Sequence, residues 1–317
     1  MTTHQPSPPW DVIVVGGSAA GLSAALMLGR ARRRVLVVDA GQPRNRFAEH
    51  MHGVLGHEGR SPGDLVRQGR DECTGYGVEF VHGTATHVTD EAADGLLVGI
   101  NTVDGERSER TRALVLATGI TDQLAPVPGL AAHWGTDVLH CPYCHGWEVR
   151  DQRLGVLAVA PMSLHQAHMV RQWSDDVVLF SAAAGELDAA ERARLAARGV
   201  EVVESPAAEV LAEGGHITGV RTHDGRTVAI DALFTFGLPI PHDDCVADLG
   251  LARAEMPGLG SFITVDPSGH TSHERIWAAG NVVNPMANVP VAMAAGAMAG
   301  AVANGWLVDQ DFELAGA

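Results

Sequence analysis

Val14-Val15-Gly16-Gly17-Ser18-Ala19-Ala20-Gly21 decides the fold of this 317-residue chain. An apolar run from Asp11 to Val15 leads into it, and helical spacing from Ala19 to Arg30 leads out of it. A second apolar run, Val35 to Val38, ends in Asp39. Strand, helix and strand in this order form the unit of a parallel sheet. Gly16 allows a tight turn, and Gly21 lets the helix pack closely on its strand. The free N–H groups of a helix starting at about Ala19 then face the pyrophosphate of a dinucleotide. Ser18 replaces the middle glycine of the G-x-G-x-x-G fingerprint, and is less suited to close backbone approach. Asp39 has the spacing of an acceptor for a ribose diol. FAD and NAD both remain open on these residues alone.

The second informative stretch is His140-Cys141-Pro142-Tyr143-Cys144-His145, which holds two of the four cysteines. A CxxC pair closes a readily reversed disulfide, and flanking imidazoles help hold a cysteine as its thiolate. Cys73 and Cys245 have no near neighbours in sequence and read as core thiols. Cys141 to His145 also matches the c-type haem signal C-x-x-C-H, which belongs to exported proteins. A structural zinc site would need a second ligand pair, and no other CxxC or HxxxH exists, so no metal is expected. His50, His52 and His57, in a Gly-rich loop, are read as lining a flavin site or the surface.

Further strand-like runs are Ala113 to Ala117, ending in Thr118-Gly119, and Ala232 to Phe236. Gln123 to Leu130, with Pro126, Pro128 and Gly129, reads as a linker. After the CxxC a second strand, helix, strand pattern runs through Leu154 to Val159, Ser163 to Trp173 and Val177 to Phe180. Glu186 to Arg198 reads as a solvated amphipathic helix. The spacing predicts one nucleotide-binding domain, residues 1–121 and 246–317, split by an inserted domain of similar topology, residues 122–245.

The net charge of −16 argues against a nucleic-acid surface, which needs clustered Lys and Arg. The chain has no lysine at all. Met1 to Trp10 is polar and Pro-rich and does not read as a secretory signal, so a reducing cytoplasm is expected. Met286 to Val302, mostly Ala, Gly and Met, reads as too short and too weakly hydrophobic for a membrane span. Gly296 and Gly300, four apart, predict close helix packing.

In this order the motifs resemble the low-molecular-weight thioredoxin reductases over nearly the whole chain. The matching pieces are Gly16 to Gly21, Ala117-Thr118-Gly119, the mid-chain CxxC and Ala279-Gly280-Asn281. The resemblance implies an α/β fold of two Rossmann-like, three-layer domains, FAD as cofactor and a homodimer. It implies FAD contacts from Gly16, Gly17, Ser18, Ala19, Ala20, Gly21, Asp39, Ala40, Gly41, Thr86, Ala117, Thr118, Gly119, Gly280, Asn281, Val289 and Pro290. Cys144 would be the flavin-side thiol, and Cys141 the one that meets substrate. Val289 and Pro290 lie where the family brings a helix N-terminus to the flavin.

The departures carry as much meaning. Where the reductases have a Gly-rich NADPH turn, this chain reads Ala158-Val159-Ala160-Pro161-Met162-Ser163, and Pro161 lacks an N–H. Their His-Arg-Arg run, which holds the 2′-phosphate, is Ser181-Ala182-Ala183 here. Each lost charged hydrogen bond is worth roughly 1.5–3 kcal/mol. Two such losses weaken binding about a hundredfold or more. The aspartic acid that follows their second cysteine is His145, and the one after Ala-Ala-Gly is Asn281.

A redox pair without a nicotinamide site resembles the reductase-like dithiol oxidases of holomycin, gliotoxin and romidepsin, which share the form Cys141 to Gly146. That resemblance implies a small-molecule, natural-product dithiol as substrate. Its electrons pass through the CxxC to FAD and on to O2, giving H2O2. His140 or His145 would act as the base, because oxidising a dithiol removes two thiol protons. No nucleic acid or membrane partner is expected. Two other readings stay open: a reductase fed by a donor other than NADPH, and a non-catalytic redox-sensing flavoprotein.

Overall fold

The computed structural model describes residues 8–316; the start of the N-terminal segment read above, Met1–Ser7, lies outside them. The contacts divide the chain into two compact units. The first comprises the chain through Arg44, Gly63–Thr121 and the chain from Pro239 onward, and the second comprises Asn45–Pro62 and Asp122–Leu238.

In the first unit β1 (Trp10–Val15), α1 (Ala19–Arg30) and β2 (Val35–Asp39) form the strand–helix–strand expected from the Gly16 turn. They are followed by α2 (Pro62–Thr74), β3 (Glu79–Asp90), β4 (Leu96–Thr102) and β5 (Gly105–Leu116). A parallel layer runs β3, β2, β1, β5 and then the strand Ile276–Ala278. The second half of β3 and the first half of β5 pair antiparallel with β4. The run Ala113 to Ala117 is thus only the apolar end of a longer strand. Its polar half, Gly105 to Arg110, has no apolar pattern to betray it.

Alternate side chains of β1 point to opposite faces and seed two cores. Ile13 and Val15 pack with Leu36, Val38, Leu114 and Leu116. Val12 and Val14 pack with Val35, Val37, Ala113 and Val115 on the other side. Strands covered on both faces read as continuous apolar runs, which is why these were legible.

The C-terminal helix, Val289–Gly316, is much longer than the Met286 to Val302 stretch suggested. By length and composition alone it would suffice to cross a membrane, contrary to the expectation above. Its Ala292, Gly296, Ala299, Gly300, Ala303 and Leu307 are buried, and α1 is the element it packs on most extensively. A Cβ on Gly296 would lie 1.9 Å from the Ala20 carbonyl oxygen, and one on Gly300 would lie 2.6 Å from that of Ala24.

The second unit carries a parallel sheet in the order 200–203, 177–180, 154–157, 232–234 and 138–139. A three-stranded antiparallel sheet, Ala207–Glu213, His216–Thr222 and Thr227–Ala229, accompanies it. Its helices are shorter than their sequence patterns, at Ser163–Val170 and Ala189–Ala197.

Two boundaries differ from the expected 122–245. Pro239 to Cys245 group with the first unit, where His242 N–H donates to the Gly119 carbonyl at 3.1 Å and Cys245 joins the core. Asn45–Pro62 groups with the second unit, because its contacts lie there: a Cβ on Gly135 would meet Phe47 Cβ at 2.6 Å.

The close packing of the C-terminal helix predicts that Gly296→Val destabilises the protein by about 1–3 kcal/mol. Exposed Gly305, with nothing within 4 Å of its added Cβ, should gain roughly 0.5–1 kcal/mol on substitution by Ala. Thermal unfolding of both variants checks the contrast.

Candidate active site

A candidate cofactor site in the first unit grows from the end of β1. Gly16 has φ +105°, and a Cβ there would lie 2.3 Å from the Ala117 carbonyl oxygen. A Cβ on Gly21 would meet the Gly16 carbonyl oxygen at 1.8 Å. Ser18 is extended and its hydroxyl does not cap α1. The first helical bond runs from Leu22 N–H to the Ser18 carbonyl at 2.8 Å. The amides of Ala19, Ala20 and Gly21 therefore have no acceptor inside the helix and are placed for an anion.

Asp39 ends β2 and is buried. Gly17 N–H and Gly41 N–H both donate to its Oδ1, at 3.1 and 3.2 Å. Its Oδ2 lies 3.7 Å from Arg70 Nη1 on α2, a partner with no sequence signal of its own. Ala40 is exposed beside Gly41. Thr86 sits at a bulge in β3 between Ala85 and His87, where the β4 ladder skips it. Thr118 Oγ1 is buried with no partner among the described residues, the kind of atom a bound group satisfies.

Gly280 takes φ +79° beside α1, where its Cβ would lie 2.9 Å from Ala20 Cβ. Asn281 Nδ2 donates to the carbonyls of Asn284, Pro285 and Ala287, at 3.0, 3.3 and 2.9 Å. These bonds shape the loop that delivers Val289 and Pro290 to the start of the C-terminal helix. An aspartate could not donate them, which accounts for the amide at this position. An anion-binding helix end, a fixed carboxylate and an orphan hydroxyl together fit a flavin dinucleotide.

A candidate redox site lies in the second unit. Cys141 and Cys144 form a disulfide with Cα atoms 5.2 Å apart. Cys141 stands at the N-cap of a one-turn helix, Pro142–His145, with Pro142 at its first position. Tyr143 and Trp147 beside it are exposed, with Tyr143 edge-on to Trp173 at 5.6 Å.

The two flanking histidines have different surroundings. His140 packs edge-on to Phe236 at 5.5 Å, and its carbonyl accepts from Gln166 Nε2 at 2.8 Å. Both ring nitrogens of His145 are buried and have no partner among the described residues. Burial pushes the His145 imidazole below its ordinary pKa; Glu148 opposes this and His52 adds to it.

His52, expected at the flavin site or the surface, lies against the redox helix, its ring edge-on to His145 at 6.4 Å. Glu58 Oε1 is 2.7 Å from His52 Nδ1, and Glu148 Oε1 is 3.5 Å from His52 Nε2. No group of three metal-ligating side chains occurs among the described residues.

The second nucleotide turn is closed. Ser163, fully buried, accepts with its hydroxyl from Val159 N–H at 3.1 Å and from Ala160 N–H at 3.4 Å. The N–H groups of Ser163, Leu164 and His165 donate to the carbonyls of Ala160, Pro161 and Met162. The donors that would meet a pyrophosphate are engaged within the turn. Beside it lies an apolar pocket of about 220 Å³, lined by Val127, Leu157, Ala158, Phe180, Ala182 and Ala183 among others.

The Pyridine nucleotide-disulphide oxidoreductase family matches residues 10–296. The chain belongs to this family. Within it, the oxidoreductase is 31% identical to "Thioredoxin reductase tcpT" of Claviceps purpurea (strain 20.1), over 93% of each chain. It is 29% identical to "Thioredoxin reductase sirT" of Leptosphaeria maculans, again over 93% of each. Among solved structures it superposes on HlmI with a TM-score of 0.89 and 42% identity, covering 97% of this chain and 95% of that one. The fold is accordingly that of the thioredoxin reductases, with two Rossmann-like domains, and the protein is a flavoprotein oxidoreductase.

Burial pushes the thiols of this oxidoreductase outside the redox pair, Cys73 and Cys245, up to about 11 each. They stay protonated, and inert, at neutral pH. Iodoacetamide after reduction should therefore label Cys141 and Cys144 rapidly and the other two only in strong alkali or on unfolding, read by mass spectrometry of the digested protein.

Proposed function

We propose that the protein is an FAD-dependent dithiol oxidase that closes a disulfide in a small natural-product dithiol in the cytoplasm. The observation that carries this reading is the closed second turn. Ser163 consumes the amides of Val159 and Ala160, while the Cys141–Cys144 pair beside it in sequence stays intact. Electrons therefore have an entry at the cysteines and none at a nicotinamide.

A substrate thiolate attacks Cys141 Sγ, breaks the Cys141–Cys144 bond and releases Cys144 as thiolate. The second substrate thiol then attacks the substrate sulfur of the mixed disulfide, forming the product disulfide and releasing Cys141. His145 takes the proton of that thiol. Burial pushes its imidazole pKa down and its nitrogens have no partner among the described residues, whereas His140 is packed among aromatic rings. The α1 N-terminus, Asp39 and the Gly280–Asn281 turn would hold FAD, which would supply the two-electron acceptor for the reduced cysteine pair, with O2 as the final acceptor giving H2O2. Exposed Tyr143 and Trp147 offer apolar walls for a substrate beside Cys141.

Anaerobic titration of the flavin tests this. A small dithiol should bleach it, air should restore it with formation of peroxide, and NADPH should leave it unchanged. Rapid bleaching by NADPH would overturn the reading of the second turn, and bleaching by neither would favour a protein-fed reductase or a sensor. Cys144→Ser should abolish bleaching by the dithiol.

We also propose a homodimer. Val291, Met298 and Phe312 are exposed and spaced by multiples of seven on the C-terminal helix, so they share a face away from its contact with α1. Light scattering should give twice the chain mass, and Met298→Glu with Phe312→Glu should reduce it to one.

A further inference from the structure

We propose that His52, held between Glu58 and Glu148, is the positioning residue through which His145 hands on the proton it takes from a substrate thiol. This rests on the dithiol oxidase reading, and adds to it a route for the proton. Closing a dithiol takes two electrons and two protons from the two sulfurs. The electrons pass to the cysteine pair, and two protons are later taken up as oxygen becomes hydrogen peroxide. Between those events each proton must leave the sulfur on a base, and that base must be neutral again for the next turnover.

His145 has no outlet of its own among the described residues, because both of its ring nitrogens are buried and meet no acceptor there. The imidazole of His52 stands edge-on to it, at 6.4 Å between ring centroids. Beyond His52 the path opens to solvent. Its side chain is 19% exposed, that of Glu148 38% and that of Glu58 63%. The Glu58 carboxylate is fixed from two sides, since Oε1 lies 2.7 Å from His52 Nδ1 and Oε2 accepts from Gly53 N–H at 2.8 Å.

That arrangement orients the ring and fixes its tautomer. With Nδ1 held toward Glu58, Nε2 is left toward Glu148 and the redox helix. The titratable groups facing His52 are Glu58 and His50 from its own loop, the latter at 6.5 Å between centroids. From the redox helix and its C-terminal flank they are His145 and Glu148. The proton passes from His145 to His52 and from His52 to Glu58 or bulk water. No bond to sulfur and no electron takes part in that transfer.

The test is anaerobic flavin bleaching by dithiothreitol, followed by stopped flow between about pH 6 and pH 9, a range spanning imidazole and thiol ionisation. Wild type, His52→Ala and Glu58→Gln are compared as flavin-loaded protein. His52→Ala should bleach about tenfold or more slowly at the acid end and approach wild type at the alkaline end, where thiols ionise unaided. Added imidazole should restore the acid-end rate. Glu58→Gln, at an exposed position, should show a smaller loss with the same pH dependence, and decides the matter if His52→Ala fails to fold.

A wild-type rate in both variants, or a loss equal at every pH and not rescued by imidazole, would overturn the relay and leave the oxidase reading standing. Failure of wild type itself to be bleached by dithiothreitol at any pH would remove both.

Discussion

The N-terminus of α1 is packed so closely by backbone that three neighbouring positions admit no side chain. A Cβ on Gly16 would strike the Ala117 carbonyl, one on Gly21 the Gly16 carbonyl, and one on Gly296 the Ala20 carbonyl. The parallel sheet, the crossover at Ala117 to Gly119 and the C-terminal helix all meet at this point. Close approach leaves the first amides of α1 pointing outward with no side chain to screen them. The same constraint therefore builds the core and prepares the anion site. Ser18 is tolerated because it precedes the helix in extended conformation, outside that close contact.

The second unit repeats the topology and reverses the outcome. Its turn after the strand 154–157 also leads into a helix, but a buried hydroxyl from that helix folds back onto the turn amides. A helix N-terminus attracts anions only while its donors are unpaired. Here one serine pairs two of those donors, and a proline at the next position lacks an N–H. The space beside it is lined by alanine, valine and phenylalanine, and offers a phosphate no charge. On the proposed reading, two domains of one fold differ in function through what a few side chains do with the same backbone amides.

Much of this was legible because it follows from local rules. The bounds of α1, Ala19–Arg30, came directly from spacing, and the buried strands came from their apolar runs. The glycine pair in the C-terminal helix announced its close packing. The far half of that helix escaped notice because Asn304, Gly305 and the acidic end interrupt its pattern. The loop 45–62 was the larger omission. It lies far in sequence from the redox pair, and irregular histidine spacing gives no period to read. Only tertiary contact shows that His52 and Glu58 belong with Cys144 and His145. Arg70 beside Asp39 is hidden for the same reason.

The residue after the second cysteine then acquires a physical meaning. Burial disfavours charge whichever group is present, but it acts in opposite senses on the two that the fold tolerates there. A desolvated carboxyl is driven upward in pKa and rests protonated, ready to give a proton to a departing thiolate, as reduction of a disulfide requires. A desolvated imidazole is driven downward and rests unprotonated, ready to take one, as oxidation of a dithiol requires. On the proposed reading, His145 in place of the reductases' Asp would invert the resting proton state of the site. Together with the closed amides at Val159 and Ala160, this supports the proposed entry of electrons at sulfur.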